Sequence, residues 1–146
     1  MREILFRGKR KDNGEWVYGN YAYTDTFGGR HWIFQNKVFE HEVDENTICQ
    51  YTGLTDKNGN KIWENDVVEV WWKQLTLKED YEPKRYKAVV EFGNPNGLYS
   101  WGWQLRFLED FTFNNDILLW IDMDEAGAYC EVIGNIFDNA DLLKGE

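Results

Sequence analysis

Residues 50–70 read Gln50-Tyr51-Thr52-Gly53-Leu54-Thr55-Asp56-Lys57-Asn58-Gly59-Asn60-Lys61-Ile62-Trp63-Glu64-Asn65-Asp66-Val67-Val68-Glu69-Val70, and this stretch decides the fold class. Asp56-Lys57-Asn58-Gly59 is a tight-turn signal, because Asn and Gly tolerate the positive φ that hairpin turns need. The turn joins a strand over residues 47–52 to a longer one over residues 61–72. In that longer strand Val68, Val70 and Trp72 share one face, with Glu69 and Trp71 on the other. Glu64-Asn65-Asp66 breaks the run and bends it, as a barrel corner requires. The carboxylates of Glu64 and Asp66 are suited to accept backbone N–H groups at that bend.

Working outward, short runs rich in Val, Ile, Trp, Tyr and Phe recur between Gly- and Asn-containing turns, the pattern of an all-β domain. Strands are expected at residues 4–7, 15–23, 30–35, 86–92 and 128–137. Residues 36–45 are polar and receive no assignment, and residues 73–83, charged and containing Pro83, read as a surface loop. Tyr99, Trp101, Trp103, Leu105 and Phe107 alternate with Ser100, Gly102, Gln104 and Arg106, a period of two that argues for a half-buried strand. Residues 117–121 read as a buried strand, with a short helix around residues 109–120 as the alternative. Asn139 is placed as the N-cap of a short helical turn over residues 139–143. Nothing in the sequence marks a second domain, so residues 1–146 are read as one.

Composition narrows the function classes. The longest uninterrupted apolar run, residues 117–121, is far short of the ~20 residues that span a bilayer. Residues 1–7 lack the apolar stretch of a signal peptide, which leads to an expectation of host-cell cytosol. Cys49 and Cys130 are too few for a disulfide scaffold and are expected to be free and buried. The formal net charge is −10, and residues 107–146 hold ten carboxylates against one base, Lys144. Such a stretch reads first as solvated surface, and second as an electrostatic lure for a basic partner.

Several motifs look like one known family when taken together. Tyr51–Leu54, Asp56–Gly59 and Ile62–Val67 are followed near the end by Val132-Ile133-Gly134-Asn135-Ile136, and the opening holds Arg2-Glu3-Ile4 and Trp16-Val17-Tyr18-Gly19. This set resembles the YopX-like family of phage and prophage proteins. The resemblance implies an SH3-like small β-barrel with added strands and loops, and a phage or prophage origin; it implies no activity. The positions that carry it are Tyr51, Thr52, Gly53, Asp56, Gly59, Ile62, Glu64, Asp66, Val132, Gly134 and Asn135, all read as structural. Asn65 stands where the family commonly has Gly, which Asn replaces well if φ is positive. Gly134 is expected inside the last strand where a backbone or a bulky Trp comes close, with that strand lying near residues 51–54.

Catalytic constellations are missing. Asp56–Asn60 has its Gly at the wrong position for a calcium loop. Asp122 and Asp124, with Glu125 adjoining, would share one face of a strand and could hold Mg²⁺ in a metal-dependent enzyme, although solvated carboxylates are the simpler reading. His31 and His41 sit in no catalytic motif, and two histidines leave little for zinc. No organic cofactor and no metal are expected. Trp101 and Trp103 could stack bases, but the acidic surroundings argue against nucleic acid and for core or interface packing. Trp71 and Trp72 point to opposite faces, so Trp71, Trp101 and Trp103 are the expected interface. The sequence therefore favours a non-enzymatic protein-interaction module, with a host protein or a second copy as partner. The alternatives are an acidic mimic of nucleic acid that occupies a host DNA-binding protein, and a metal-dependent enzyme at Asp122 and Asp124.

Overall fold

In the computed structural model, which describes residues 5–72, 84–93, 102–109, 116–122 and 127–144, these signals resolve into ten strands and one short helix. The strands are β1 (Phe6–Lys9), β2 (Trp16–Thr24), β3 (Arg30–Phe34), β4 (His41–Val43), β5 (Cys49–Thr55), β6 (Lys61–Trp63), β7 (Asp66–Trp72), β8 (Tyr86–Gly93), β9 (Gly102–Phe107) and β10 (Ala128–Asn135); the helix α1 is Ile117–Asp122. The protein is all-β, built from antiparallel sheets. Its chain forms two compact units, Met1–Gly53 and Leu54–Glu146.

The first unit is a sheet in the order β4-β3-β2-β1-β5. Its long strand β2 serves two partners. Trp16 to Gly19 pair with β1, and Asn20 to Thr24 pair with β3. Gly19 lies at the changeover, where any Cβ would stand 2.3 Å from the Phe34 carbonyl oxygen; only glycine admits that approach. The unassigned polar stretch at residues 36–45 contains the edge strand β4, whose Val43 is fully buried and packs against Gly8. Thr47 then fastens the following turn: its hydroxyl donates to the Asp44 carbonyl (2.7 Å) and accepts from the Lys9 amide (2.8 Å).

The second unit centres on a sheet in the order β10-β7-β8-β9, with β6 beside the end of β5. Val68, Val70, Ala88, Val90, Leu105 and Cys130 fill its core together with Ile62, Trp103 and Trp120. The expected strand over residues 61–72 divides into β6 and β7 at Glu64-Asn65, and Asn65 has a φ of 69°. Its amide donates to Val90 O (2.8 Å) and its carbonyl accepts from the Ile136 amide (3.1 Å). Asp66 accepts from the Trp63 amide at 2.8 Å and so closes the bend as expected of it.

Four expectations need correction. Residues 117–121 are helical, because Ile117 and Trp120, three apart, meet the same core and Asp116 accepts the Leu118 amide at the helix start. The polar member Gln104 of the alternating strand is buried, since its residue bridges to Asp116. The last strand stops at Asn135, where the Asn135 side chain accepts from the Phe137 and Asp138 amides and turns the chain. Asn139 does precede a 3₁₀ turn, Ala140–Leu143, but its side chain accepts from the Asn135 amide instead of capping that turn. No strand order among the described residues closes into a barrel. The expected loop at residues 73–83, and Tyr99 and Trp101, lie outside the described residues.

Candidate functional site

Asp56 begins as a turn residue and ends as a clamp between distant strands. Its carboxylate accepts from the Asn58 and Asn60 amides, both at 2.9 Å, which shapes the hairpin turn. The other oxygen accepts from the Val132 amide of β10 at 2.9 Å, across 76 residues of sequence. Lys57 N donates to Cys130 O at 3.1 Å beside it. The Asp56–Gly59 and Val132–Ile136 motifs therefore meet, through the Asp56 carboxylate and the Val132 amide. β10 itself pairs with β7, with a bulge between Val132 and Gly134. A Cβ on Gly134 would lie 2.5 Å from Asn139 Oδ1 and 2.9 Å from Leu142 Cδ1, so the close neighbour is the following turn and not a Trp. Ile62 is fully buried, Asp66 is buried, and Tyr51 and Thr52 are buried in β5. Gly53 and Gly59 have φ of 85° and 83°. Glu64 is half-buried in the bend.

A cavity of about 500 Å³ lies against this clamp, lined by Asp56, Trp120, Tyr129 and Cys130 among others. Both oxygens of Asp56 are bonded. Burial pushes the Cys130 thiol up to about 12, helped by the nearby Asp56, Asp66 and Glu131 carboxylates, so it is no nucleophile. Cys49 is likewise free and buried.

Two of the three tryptophans expected at an interface, Trp71 and Trp103, are covered by the chain itself. Trp71 stacks on Tyr129 (5.4 Å, 22°), with the Arg85 guanidinium 3.9 Å and the Lys57 ammonium 4.8 Å from its ring centroid. Arg85 is held there by Glu69 at 3.1 Å. Trp103 belongs to the core, with Phe92 edge-on to it. Trp101 falls outside the described residues, as do Asp124 and Glu125, while Asp122 ends α1 and is not in a strand. Among the described residues no three His, Cys, Asp or Glu side chains gather to hold a metal ion.

Exposed aromatic surface is concentrated elsewhere. Tyr18, Tyr21, Tyr23, Val38 and Phe39, all between residues 18 and 39, stand out from the first unit, with Tyr23 56% and Phe39 60% exposed. Tyr21 and Tyr23 share a face of β2, and cross-strand pairing sets Ile33 opposite Tyr21 and His31 opposite Tyr23. His31 stacks on Tyr21 (5.8 Å, 10°) and tilts against Tyr23 (5.0 Å). The Tyr21 hydroxyl lies 2.6 Å from His31 Nδ1, and His31 Nε2 lies 3.1 Å from Glu45 Oε2. A carboxylate only accepts, so Nε2 is the donor to Glu45, and Nδ1 shares a hydrogen bond with the Tyr21 hydroxyl. Burial, then Tyr23 and Glu45, raise the pKa of Tyr21, which keeps that hydroxyl protonated. Sequence reasoning missed this group. Tyr-x-Tyr on β2 and His-x-Ile on β3 alternate as facing strands do, but only the register brings them together.

Comparisons with known proteins follow from the whole chain. The family model described as "YopX protein" matches residues 5–144. A crystal structure of protein EF1440 from Enterococcus faecalis is similar at 20% identity, covering 99% of this chain and 100% of that one, with a TM-score of 0.43. The comparison with curated proteins finds no match.

Proposed function

The chain belongs to the YopX family, and from that premise we propose that it is a non-enzymatic protein-interaction module, phage- or prophage-encoded and working in the host cytosol. The observation that carries this reading is the exposed aromatic set at Tyr18, Tyr21, Tyr23 and Phe39. Large aromatic rings give interfaces much of their buried area at low entropic cost, and hot spots are rich in them. The side chains on the rest of the molecule that were candidates for this role, Trp71 and Trp103, are already packed. The SH3-like barrel belongs to the same reading: the Asn65 bend, which carries the chain from β6 into β7, is the kind of corner a small barrel uses. No helix among the described residues is long and apolar enough to cross a membrane.

The test compares wild type with a Tyr18→Ser, Tyr23→Ser, Phe39→Ser triple variant. Each serves as bait in a bacterial lysate, with mass spectrometry of the captured proteins and light scattering of the bait alone. A discrete partner or a dimer that the variant loses, at unchanged circular dichroism, supports the reading. An identical captured set and the same mass for both baits would overturn it.

A further inference from the structure

A cavity of about 340 Å³ in the first unit is lined by Lys11, Tyr23, Gly29, His31, Asp44 and Glu45. We infer that this cavity receives an arginine side chain presented by the partner protein. The inference rests on the interaction reading and names the chemistry of its contact.

The hydrogen-bonding inventory of the walls carries the argument. Asp44 Oδ1 accepts from the Asn46 amide (3.0 Å), and among the described residues no donor reaches Oδ2. Glu45 Oε2 is engaged by His31, and Oε1 has no donor among the described residues. Both His31 nitrogens are committed, one to Tyr21 and one to Glu45. Lys11 Nζ leans toward Glu42 Oε2 at 3.6 Å, and its backbone amide donates to Glu42 O. Apart from Lys11, which leans to Glu42, and the Tyr23 hydroxyl, what the cavity offers is two carboxylate acceptors beside an exposed aromatic ring.

A guanidinium answers that inventory. It is planar, always charged, carries five donors and no acceptor, and stacks on aromatic faces. Tyr23 provides the ring and Asp44 and Glu45 the fork. A phosphate or carboxylate ligand would meet two carboxylates.

Several wall groups are tied to the fold. His31 is held between the rings of Tyr21 and Tyr23 and orients Glu45. Asp44 opens the 3₁₀ turn that carries Glu45, and Thr47 ties that turn to β1. A Cβ on Gly29 would stand 2.8 Å from the Tyr23 hydroxyl, so glycine there, with a φ of 95°, lets the ring keep its place. Such preorganisation lowers the ordering cost of binding.

The experiment titrates the full chain, labelled for amide NMR, with N-acetyl-arginine N-methylamide, and in parallel with the lysine and citrulline equivalents. The expected result is a saturable shift of the Gly28, Gly29 and Asn46 amides with the arginine probe. The lysine probe should bind more weakly and the citrulline probe should leave the cavity silent. Glu45→Gln keeps an acceptor for His31 but removes the charge, and should weaken the arginine response by roughly tenfold. An absent arginine response, an equal citrulline response, or an unchanged Glu45→Gln titration each overturns the inference. If the aromatic variant loses its partner while the arginine probe leaves the cavity silent, the pocket falls and the interaction reading stands. If the probe binds but the aromatic variant captures the same proteins at the same mass, the arginine does not come from a docked partner and both readings fall.

Discussion

Replacing Asp56 tests whether the clamp between the hairpin turn and β10 is structural. Asp56→Ala removes the acceptor of three backbone amides, those of Asn58, Asn60 and Val132. A hydrogen bond to a charged group is worth about 1.5–3 kcal/mol. Water can reach the Asn58 and Asn60 amides, which lie in an exposed turn, so each contributes at or below the low end. The Val132 amide is half-buried and recovers less. The expected loss is roughly 4 kcal/mol, a large share of the ~5–15 kcal/mol by which a domain is stable. Asp56→Asn is the sharper variant. Its single oxygen keeps the turn bonds, but its amide group faces the Val132 N–H, donor against donor. It should cost about 2–3 kcal/mol and expose one amide in particular. Urea unfolding gives the energies, and amide hydrogen exchange at Val132 gives the place. An Asp56→Asn protein within about 0.5 kcal/mol of wild type, with Val132 still protected, would refute the clamp.

Gly134→Val should destabilise by about 1–3 kcal/mol, because the added atoms displace Asn139 from the Asn135 amide; thermal unfolding checks it, and an unchanged melting temperature would contradict the crowding. The Cys130 thiol, raised from an ordinary 9.0 to about 12, should resist alkylation in the folded protein at pH 8, and mass spectrometry showing rapid labelling there would count against its burial. Its proton is held more tightly in the folded state, so its contribution to stability is complete below pH 9.0 and declines as pH climbs toward 12. Phe39→Ser, at a 60% exposed ring on a hairpin tip, should change stability by less than about 0.5 kcal/mol in denaturant titrations, and a larger loss would mean that the ring is a core residue.

What the sequence disclosed was local. The Asp56–Gly59 turn and the role of Asp66 follow from residue chemistry over a few positions, and the structure has both; the positive φ on which Asn65 depends as a replacement for Gly is also present. The set Val68, Val70 and Trp72 that β7 turns to its core follows from period-two alternation. Misreadings began where partners are remote or period is ambiguous. Five apolar residues at 117–121 fit a strand or a helix equally, and only the shared core contact of Ile117 and Trp120 decides. Trp71 read as a face awaiting a partner because its cover, Tyr129 and Arg85, comes from the flanking strand β10 and the approach to β8. The cavity at Tyr23 draws on five separate stretches between residues 11 and 45, and no spacing in the chain announces that assembly.

The ladder between β7 and β10 has a consequence for synthesis. β7 carries Val67, Val68, Val70 and Trp71, all buried in the finished protein, and one of its edges is satisfied only by residues 128–135. While the ribosome is still adding the residues between them, that edge presents unpaired N–H and C=O groups on an apolar ribbon. An open strand of this kind is a template for another chain. Nascent chains stalled or truncated before residue 128 should therefore associate with one another or recruit chaperones, whereas chains extended past residue 135 should not. Closing the contact last, over so long a loop, also makes β10 the expected slow step of folding.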